Sequence, residues 1–169
     1  MAGGILIILG IDPGLATLGF GVIDVYNDRM KIVDYGAVYT EANMPFPERL
    51  NTIFDRMGRL IDTYRPGAVA FEELFFNKNV KTALTVGHAR GVAMAAAFKK
   101  TCELFEYTPL QVKQAVVGYG RAEKHQVQHM VKVLLNLKQI PKPDDAADAV
   151  AVAICHAHSM RFKNAFRIE

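Results

Sequence analysis

A short apolar run near the start of the chain, residues 5–12, constrains the fold most. The run is rich in β-branched residues and ends at Asp12-Pro13-Gly14. Because proline fixes φ and glycine accepts positive φ, this tripeptide is typical of a turn that ends a strand. An apolar run of this length with turn residues behind it indicates a buried strand. A carboxylate therefore stands at the end of a strand that we expect in the centre of a sheet.

The rest of the sequence predicts one α/β domain that opens with three antiparallel strands. Apolar residues recur at helical spacing between residues 47 and 64, which indicates an amphipathic helix. Gly19 and Gly21 in the second strand indicate close backbone packing. Strands are predicted at 5–12, 18–26, 30–39, 68–71 and 104–107, and helices at 47–64, 78–100, 109–117, 123–137 and 144–158. This order predicts an α/β domain around a mixed sheet, covering residues 1–158.

The 169 residues carry a net charge of +3 that is unevenly distributed. Residues 1–77 hold 6 Lys and Arg against 10 Asp and Glu, whereas residues 78–169 hold 14 against 7. A basic C-terminal half is what a polyanion-binding face needs. Solvated helix faces explain the same charges equally well, so the distribution alone leaves both interpretations open.

Cysteine spacing and hydropathy indicate a cytoplasmic protein. Cys102 and Cys155 form neither a disulfide framework nor a zinc motif, so we expect buried, reduced thiols. The apolar stretch near the start is far shorter than the roughly 20 residues that span a bilayer. It also lacks the charged leader and cleavage site of a signal peptide. We therefore expect no association with a membrane.

Four carboxylates stand at the ends of predicted elements. Asp12 and Glu72 each follow an apolar strand, and Asp145 and Asp148 share one face of a helix at i, i+3 spacing. If the two strands are neighbours, the four side chains converge at one edge of the sheet. Clustered anions raise each other's pKa unless cations lie between them. Carboxylates with room for water are the ligands that Mg²⁺ and Mn²⁺ prefer.

Two such ions about 3.5–4 Å apart are a recurrent device for phosphodiester hydrolysis. Each acidic residue also has an ordinary structural explanation. Asp12 fits a turn, Asp145 or Asp148 would stabilise a helix dipole, and Asp144 could be the N-cap. The pattern alone does not decide whether Glu72 or Glu73 points inward.

The contexts of these carboxylates resemble the RuvC family of crossover junction endodeoxyribonucleases over residues 5–158. The matching segments are Gly10-Ile11-Asp12-Pro13-Gly14 with Gly19-Phe20-Gly21-Val22; Glu72, Phe75 and Lys78-Asn79 with Ala89-Arg90-Gly91-Val92-Ala93; Gln111-Val112-Lys113-Gln114, Val116-Val117-Gly118, Ala122-Glu123-Lys124 and Gln126-Val127-Gln128-His129-Met130; and Asp145-Ala146-Ala147-Asp148-Ala149. Each segment is weakly specific by itself, but the four groups occur in the order and spacing of the family.

The resemblance implies an RNase H-like fold, in which helices flank a five-stranded mixed sheet, and a homodimer. It implies that Asp12, Glu72, Asp145 and Asp148 are catalytic and bind two Mg²⁺ ions, for which Mn²⁺ substitutes, and it selects Glu72 over Glu73. The implied reaction is symmetrical nicking of a four-way DNA junction in recombination and repair. A branch-migration motor complex is the further partner that the family suggests.

The resemblance also implies residues that bind DNA. Lys113 and Lys124 would lie near the cleft and contact backbone phosphates, a task that suits a lysine ammonium. Phe75 would protrude near the junction centre and stack on a base, although by pattern alone it fits a protein core equally well. Asn79 and Arg90 are further candidates for DNA contact.

Several segments depart from the family or lie outside its motifs. Residues 15–18, Leu-Ala-Thr-Leu, replace the polar or basic residues that relatives commonly carry, so this loop would touch DNA less or differently. Residues 159–169 form a basic tail without a counterpart, and the composition favours a disordered end over a DNA-binding arm. We expect His125 and His129 to be exposed on a helix, and we assign no metal to His156 or His158.

Three other functions share parts of this pattern. An actin-like or sugar-kinase-type ATP-binding domain also opens with a strand, an Asp and a glycine turn, but it needs two such domains around the nucleotide. A non-catalytic scaffold that binds junctions would keep the fold and lose the reaction. A related nuclease acting on flaps, RNA hybrids or replication intermediates would use the same carboxylates on another substrate.

Overall fold

The computed structural model describes residues 5–74, 80–100 and 102–168. Five strands form one mixed sheet in the order β3-β2-β1-β4-β5. The strands are β1 (Leu6–Asp12), β2 (Thr17–Tyr26), β3 (Arg29–Tyr39), β4 (Ala68–Glu72) and β5 (Glu103–Tyr107). β1 pairs antiparallel with β2 and parallel with β4, and β4 pairs parallel with β5. The five-stranded mixed sheet predicted from the sequence is confirmed.

Helices cover both faces of this sheet, each over its own apolar core. The helices are α1 (Phe46–Tyr64), α2 (Val80–Lys99), α3 (Pro109–Val117), α4 (Lys124–Leu134) and α5 (Asp144–Ser159). Apolar residues of α1 and α2 fill one core, and those of α3, α4 and α5 fill the other. No helix in the described part of the chain is long and apolar enough to cross a membrane.

Helix α5 lies directly against β1 and β2 because these strands carry glycines beneath it. A Cβ added to Gly10 would stand 2.1 Å from the carbonyl oxygen of Ala149, and one added to Gly19 would stand 2.0 Å from that of Asp145. Small residues on the helix, including Ala149 and Ala153, allow the same approach. The close backbone packing predicted from Gly19 and Gly21 is confirmed, and it places the start of α5 beside the end of β1.

Two helix boundaries differ from the sequence-based expectation. The helix predicted over 123–137 ends at Leu134, because Leu135 caps it and Asn136 adopts a positive φ of 50°. Asp144, considered as an N-cap, is instead the first residue of α5, and Pro143 precedes it as the cap. The carboxylate of Asp144 is thus available for contacts with other side chains.

The end of the chain packs against the edge strand β5, which corrects the expectation of a disordered tail. Residues Met160–Phe166 form 3-10 turns, and Arg167 then bridges to Phe105. The backbone N–H of Ile168 donates to the carbonyl of Leu104 at 2.9 Å, and the Phe166 ring lies 4.9 Å from that of Tyr107. These contacts form because an edge strand offers unpaired backbone groups, which a composition-based reading of the tail does not take into account.

The two cysteines were predicted as buried thiols, and only one of them is. Cys155 is buried in α5, whereas Cys102, just before β5, is partly exposed. Both are free, as expected.

Candidate active site

Asp12 and Glu72 lie side by side because β1 and β4 are parallel neighbours in register. Ile11 pairs with Phe71, so the next residue of each strand falls at the same edge of the sheet. Glu72 lines a cleft at this edge, whereas Glu73 is exposed and its backbone N–H donates to the carbonyl of Tyr107. The strand register thus directs Glu72, not Glu73, to the side of Asp12.

Helix α5 brings Asp148 and Asp145 to the same edge. Burial, followed in order by the negative charges of Glu72, Asp148 and Asp145, raises the pKa of Asp12 to about 8. Burial and then the charge of Asp148 raise the pKa of Glu72, while Lys124, Lys113 and a hydrogen bond with Asp12 act in the opposite direction. The four carboxylates predicted from the sequence therefore form one electrostatically coupled cluster.

The cleft beside this cluster has a volume of about 260 Å³. Its charged lining consists of two acidic residues, Glu72 and Asp148, and two basic residues, Lys113 and Lys124. Apolar side chains of α3, α4 and α5 complete the lining. Both lysines predicted to lie near the cleft are thus at its wall, where they face two of the four carboxylates.

Lys124 forms an ion pair with a carboxylate of the cluster. Its Nζ lies 2.8 Å from Oδ2 of Asp148 and 3.8 Å from Oδ2 of Asp144. The hydrogen bond with Asp148 raises the pKa of Lys124 more than its partial burial lowers it. Burial raises the pKa of Asp148, which Lys124 partly opposes. Lys124 is therefore the cation that partly compensates this end of the cluster.

Asp144, Lys142 and Gln128 extend the charged group and were not identified from the sequence as part of a site. Lys142 Nζ lies 2.6 Å from Oδ1 of Asp144. A hydrogen bond with Lys142 is the main reason that the pKa of Asp144 is lowered, and the Gln128 amide acts in the same direction. Gln128 is buried, and its Nε2 has no hydrogen-bond partner within the part of the chain that the structure describes. The Lys142-Pro143-Asp144 segment, directly before Asp145, is the feature of the sequence that could have identified Asp144 and Lys142 as neighbours of the site.

The donor chemistry of the cluster fits a divalent cation. All four predicted ligands offer carboxylate oxygens, which are the hard donors of Mg²⁺ and Mn²⁺. The raised pKa values of Asp12, Glu72 and Asp148 reflect burial first and neighbouring negative charge second. Within residues 5–74, 80–100 and 102–168, no three carboxylate, imidazole or thiol side chains are close enough to share one ion as they stand.

Arg90, a further candidate for DNA contact, does not line this cleft. Arg90 on α2 pairs with Glu106 of β5, and its buried Nε has no hydrogen-bond partner among the described residues. Phe75 and Asn79 lie outside the described residues. Arg90 would have to break its ion pair with Glu106 before it could reach a phosphate.

The two histidines of α4 are exposed, as predicted, and the two histidines of α5 contact neighbouring elements. His125 and His129 are exposed on α4, and His125 lies 3.2 Å from Glu123. His156 is buried, and its Nδ1 lies 2.8 Å from the hydroxyl of Tyr107. His158 Nδ1 lies 2.9 Å from the carbonyl of Ala115, which links α5 to α3.

A five-stranded sheet with this strand order, with carboxylates at the ends of two central strands, defines an RNase H-like nuclease fold. Over residues 8–156 the chain matches the family described as crossover junction endodeoxyribonuclease RuvC. The chain belongs to the RuvC family.

Relatives match along almost the full length of both chains. The crossover junction endodeoxyribonuclease RuvC of Alkaliphilus oremlandii is 62% identical over 164 residues, covering 97% of this chain and 100% of the relative. The solved structure of Thermus thermophilus RuvC is 37% identical, with a TM-score of 0.89 over 96% of this chain and 100% of that one. A structure of T. thermophilus RuvC in complex with Holliday junction substrate, 35% identical, has a TM-score of 0.88 over the same shares of 96% and 100%.

Proposed function

We propose that this protein is a structure-specific DNA endonuclease that resolves Holliday junctions by metal-dependent phosphodiester hydrolysis. The observation that carries the proposal is the convergence of Asp12, Glu72, Asp145 and Asp148 at one sheet edge, beside a cleft that two lysines line. Membership of the RuvC family supports junction DNA as the substrate, since a relative has been solved with it.

In this proposal, Asp12, Glu72, Asp145 and Asp148 hold two Mg²⁺ ions, for which Mn²⁺ substitutes. Bound divalent ions supply a water of lowered pKa and compensate the charge on the leaving oxygen. The carboxylates must be deprotonated to act as ligands. Because the pKa of Asp12 is about 8, this residue is the one whose proton competes most strongly with an ion at neutral pH.

The lysines of the cleft bind and orient the scissile strand. Lys113 and Lys124 line the same wall as Glu72 and Asp148, so a phosphate in the cleft can contact an ammonium group while it faces the carboxylates. A polyanion would otherwise be repelled by the acidic cluster, since like charges at close range disfavour association. Positive charge at the wall therefore makes an acidic site accessible to DNA.

Two further features of the proposal concern partners. A homodimer carries two active sites related by a two-fold axis, which suits symmetrical cuts in a junction of the same symmetry. Membership of the family supports both the dimer and delivery to junctions by a branch-migration motor complex. Phe75, Asn79 and Arg90 stay predicted DNA contacts.

Neutral variants of the four carboxylates test the catalytic assignment. We expect Asp12→Asn, Glu72→Gln, Asp145→Asn and Asp148→Asn each to lower the rate of junction cleavage by at least about a thousandfold, because each removes a ligand charge from the cluster. Junction binding, measured by gel shift with Ca²⁺, should be retained. Glu73→Gln is the matched control, since its side chain is exposed beside Glu72.

Any of these four variants that cleaved at the wild-type rate would remove that residue from the catalytic set. Loss of cleavage in Glu73→Gln would contradict the choice between the two adjacent glutamates.

A further inference from the structure

Lys124 is shared by two carboxylates that play different parts in the site. Asp148 lines the cleft and belongs to the acidic cluster, whereas Asp144 lies one helical turn away and is not part of the cleft wall. The lysine Nζ is 2.8 Å from the first and 3.8 Å from the second. More than half of the Lys124 side chain is exposed, so the ammonium group has room to move between them.

A divalent cation and Lys124 compete for the carboxylate of Asp148. Lys124 Nζ is 2.8 Å from Oδ2 of Asp148, so an ion bound to the same carboxylate would lie close to the ammonium group, and two positive charges at short range repel each other strongly. The ammonium group must therefore leave Asp148 before an ion takes all the ligands of the cluster. The free energy of metal binding includes the cost of breaking this ion pair.

Asp144 offers Lys124 an alternative position. Its carboxylate lies at the start of α5, outside the lining of the cleft, and it already binds Lys142 at 2.6 Å. A lysine that moves toward Asp144 keeps an ionic partner while it releases Asp148. The cost of displacing Lys124 should thus be smaller with Asp144 present than without it.

We propose that Asp144 is a positioning residue that acts through Lys124 and thereby sets the affinity of Asp148 for the metal. The inference rests on the proposed function, because it takes Asp148 as a metal ligand. Asp144 touches neither metal nor DNA in this account. Lys124, once released from Asp148, is available to bind a DNA phosphate in the cleft.

The competition is tested by titrating the full-length protein with Mn²⁺ in the absence of DNA, with calorimetry and the electron paramagnetic resonance of free Mn²⁺ as readouts. Lys124→Gln should bind Mn²⁺ about two- to fivefold more tightly than wild type, the effect of removing one partly exposed ion pair. Lys132→Gln removes the same charge from the same helix and should leave the affinity nearly unchanged. Asp148→Asn should weaken binding in every background.

Asp144 is tested by a double-mutant cycle with Lys124. Asp144→Asn alone should weaken Mn²⁺ binding about two- to fivefold, because Lys124 then stays on Asp148. In the Lys124→Gln background the same substitution should change nothing. Asp144→Glu keeps the charge and should retain the wild-type affinity.

The outcomes separate this inference from the function on which it rests. An equal loss of affinity from Asp144→Asn in both backgrounds would mean that Asp144 acts on the metal by its own charge, and would overturn the inference. An unchanged Mn²⁺ affinity in Lys124→Gln would overturn the inference as well. In that case, weaker binding in Asp148→Asn would still support the metal site itself. A wild-type protein that binds no Mn²⁺ would overturn both the proposed function and the inference.

Discussion

Asp12 ends β1 at a partly buried position, where the positive charge of Lys124 only partly offsets the surrounding carboxylates. Burial and the charges of Glu72, Asp148 and Asp145 raise its pKa to about 8, from an ordinary value of 3.8. The folded protein therefore holds a proton on Asp12 over a pH range in which the unfolded chain does not. A residue selected only for stability would not carry an acid here, which is consistent with a role in binding a cation.

We expect Asp12→Asn to stabilise the protein in the absence of divalent ions. Between the unfolded pKa near 4 and the folded pKa near 8, unfolding releases a proton, so the stability contributed by protonated Asp12 is lost as pH rises. The variant removes this loss and should gain roughly 2 kcal/mol in unfolding free energy at about pH 8. Urea unfolding in EDTA measures the gain.

The gain should shrink toward about pH 5, where Asp12 is protonated in the folded state. A variant that is less stable than wild type at the higher pH would contradict the raised pKa.

At the scale of elements, the contact of α5 with β1 and β2 connects the core to the site. Glycines on the strands let the helix backbone approach, and the helix then carries Asp145 and Asp148 to the end of β1. The position of these two carboxylates thus depends on the glycines of the strands and on the small residues Ala149 and Ala153, one and two turns after Asp145. Packing and catalysis share the same interface.

Gly10→Ala tests this dependence. Its Cβ would lie 2.1 Å from the Ala149 carbonyl oxygen, so the backbone of α5 would have to move. Overpacking of this kind costs about 1–3 kcal/mol of stability, and we expect junction cleavage to fall with it. Gly58→Ala on α1 is the matched control, because a Cβ there meets nothing within 4 Å.

Gly58→Ala should stabilise the protein by about 0.5–1 kcal/mol, since alanine favours a helix interior over glycine. Thermal unfolding of both variants measures the two opposite effects. Equal stability of Gly10→Ala and wild type would contradict the close packing of α5 on β1.

Local pattern was enough to predict the strands, the helices and the close packing at Gly19. Contacts between distant parts of the chain were not predictable in the same way. The pairing of Lys124 with Asp148 and of Arg90 with Glu106 depends on how helices pack on the sheet. The end of α4 was missed because Asn136 takes a left-handed conformation that propensity alone does not specify. The resemblance, not the pattern, selected Glu72 over Glu73.

In the whole molecule, the fold brings charged residues from the acidic first half and the basic second half of the sequence to one site. The acidic first half supplies Asp12 and Glu72, and the basic second half supplies Lys113 and Lys124 to the same cleft. The basic C-terminal half therefore places part of its charge at the acidic site, where DNA would have to approach.

Junction affinity should fall with rising salt, and the cleft lysines should account for part of that dependence. We expect Lys113→Ala and Lys124→Ala each to reduce the slope of log affinity against log salt by about 1, as the loss of one phosphate contact predicts. Fluorescence anisotropy with a labelled junction in Ca²⁺ measures the slope. Lys138→Ala removes an exposed lysine beyond α4 and should leave it unchanged.

Slopes that both cleft variants leave at the wild-type value would contradict the assignment of Lys113 and Lys124 to DNA binding.

Strand cleavage is the direct test of whether this chain cuts four-way junctions with the help of divalent metal. An end-labelled synthetic junction, in several sequences, is incubated with the protein and Mg²⁺ or Mn²⁺, against EDTA and a linear duplex as controls. We predict paired, symmetrical nicks in the junction, in the presence of metal and not in the duplex. Tight junction binding without cuts in either metal would contradict the claim and favour a non-catalytic scaffold.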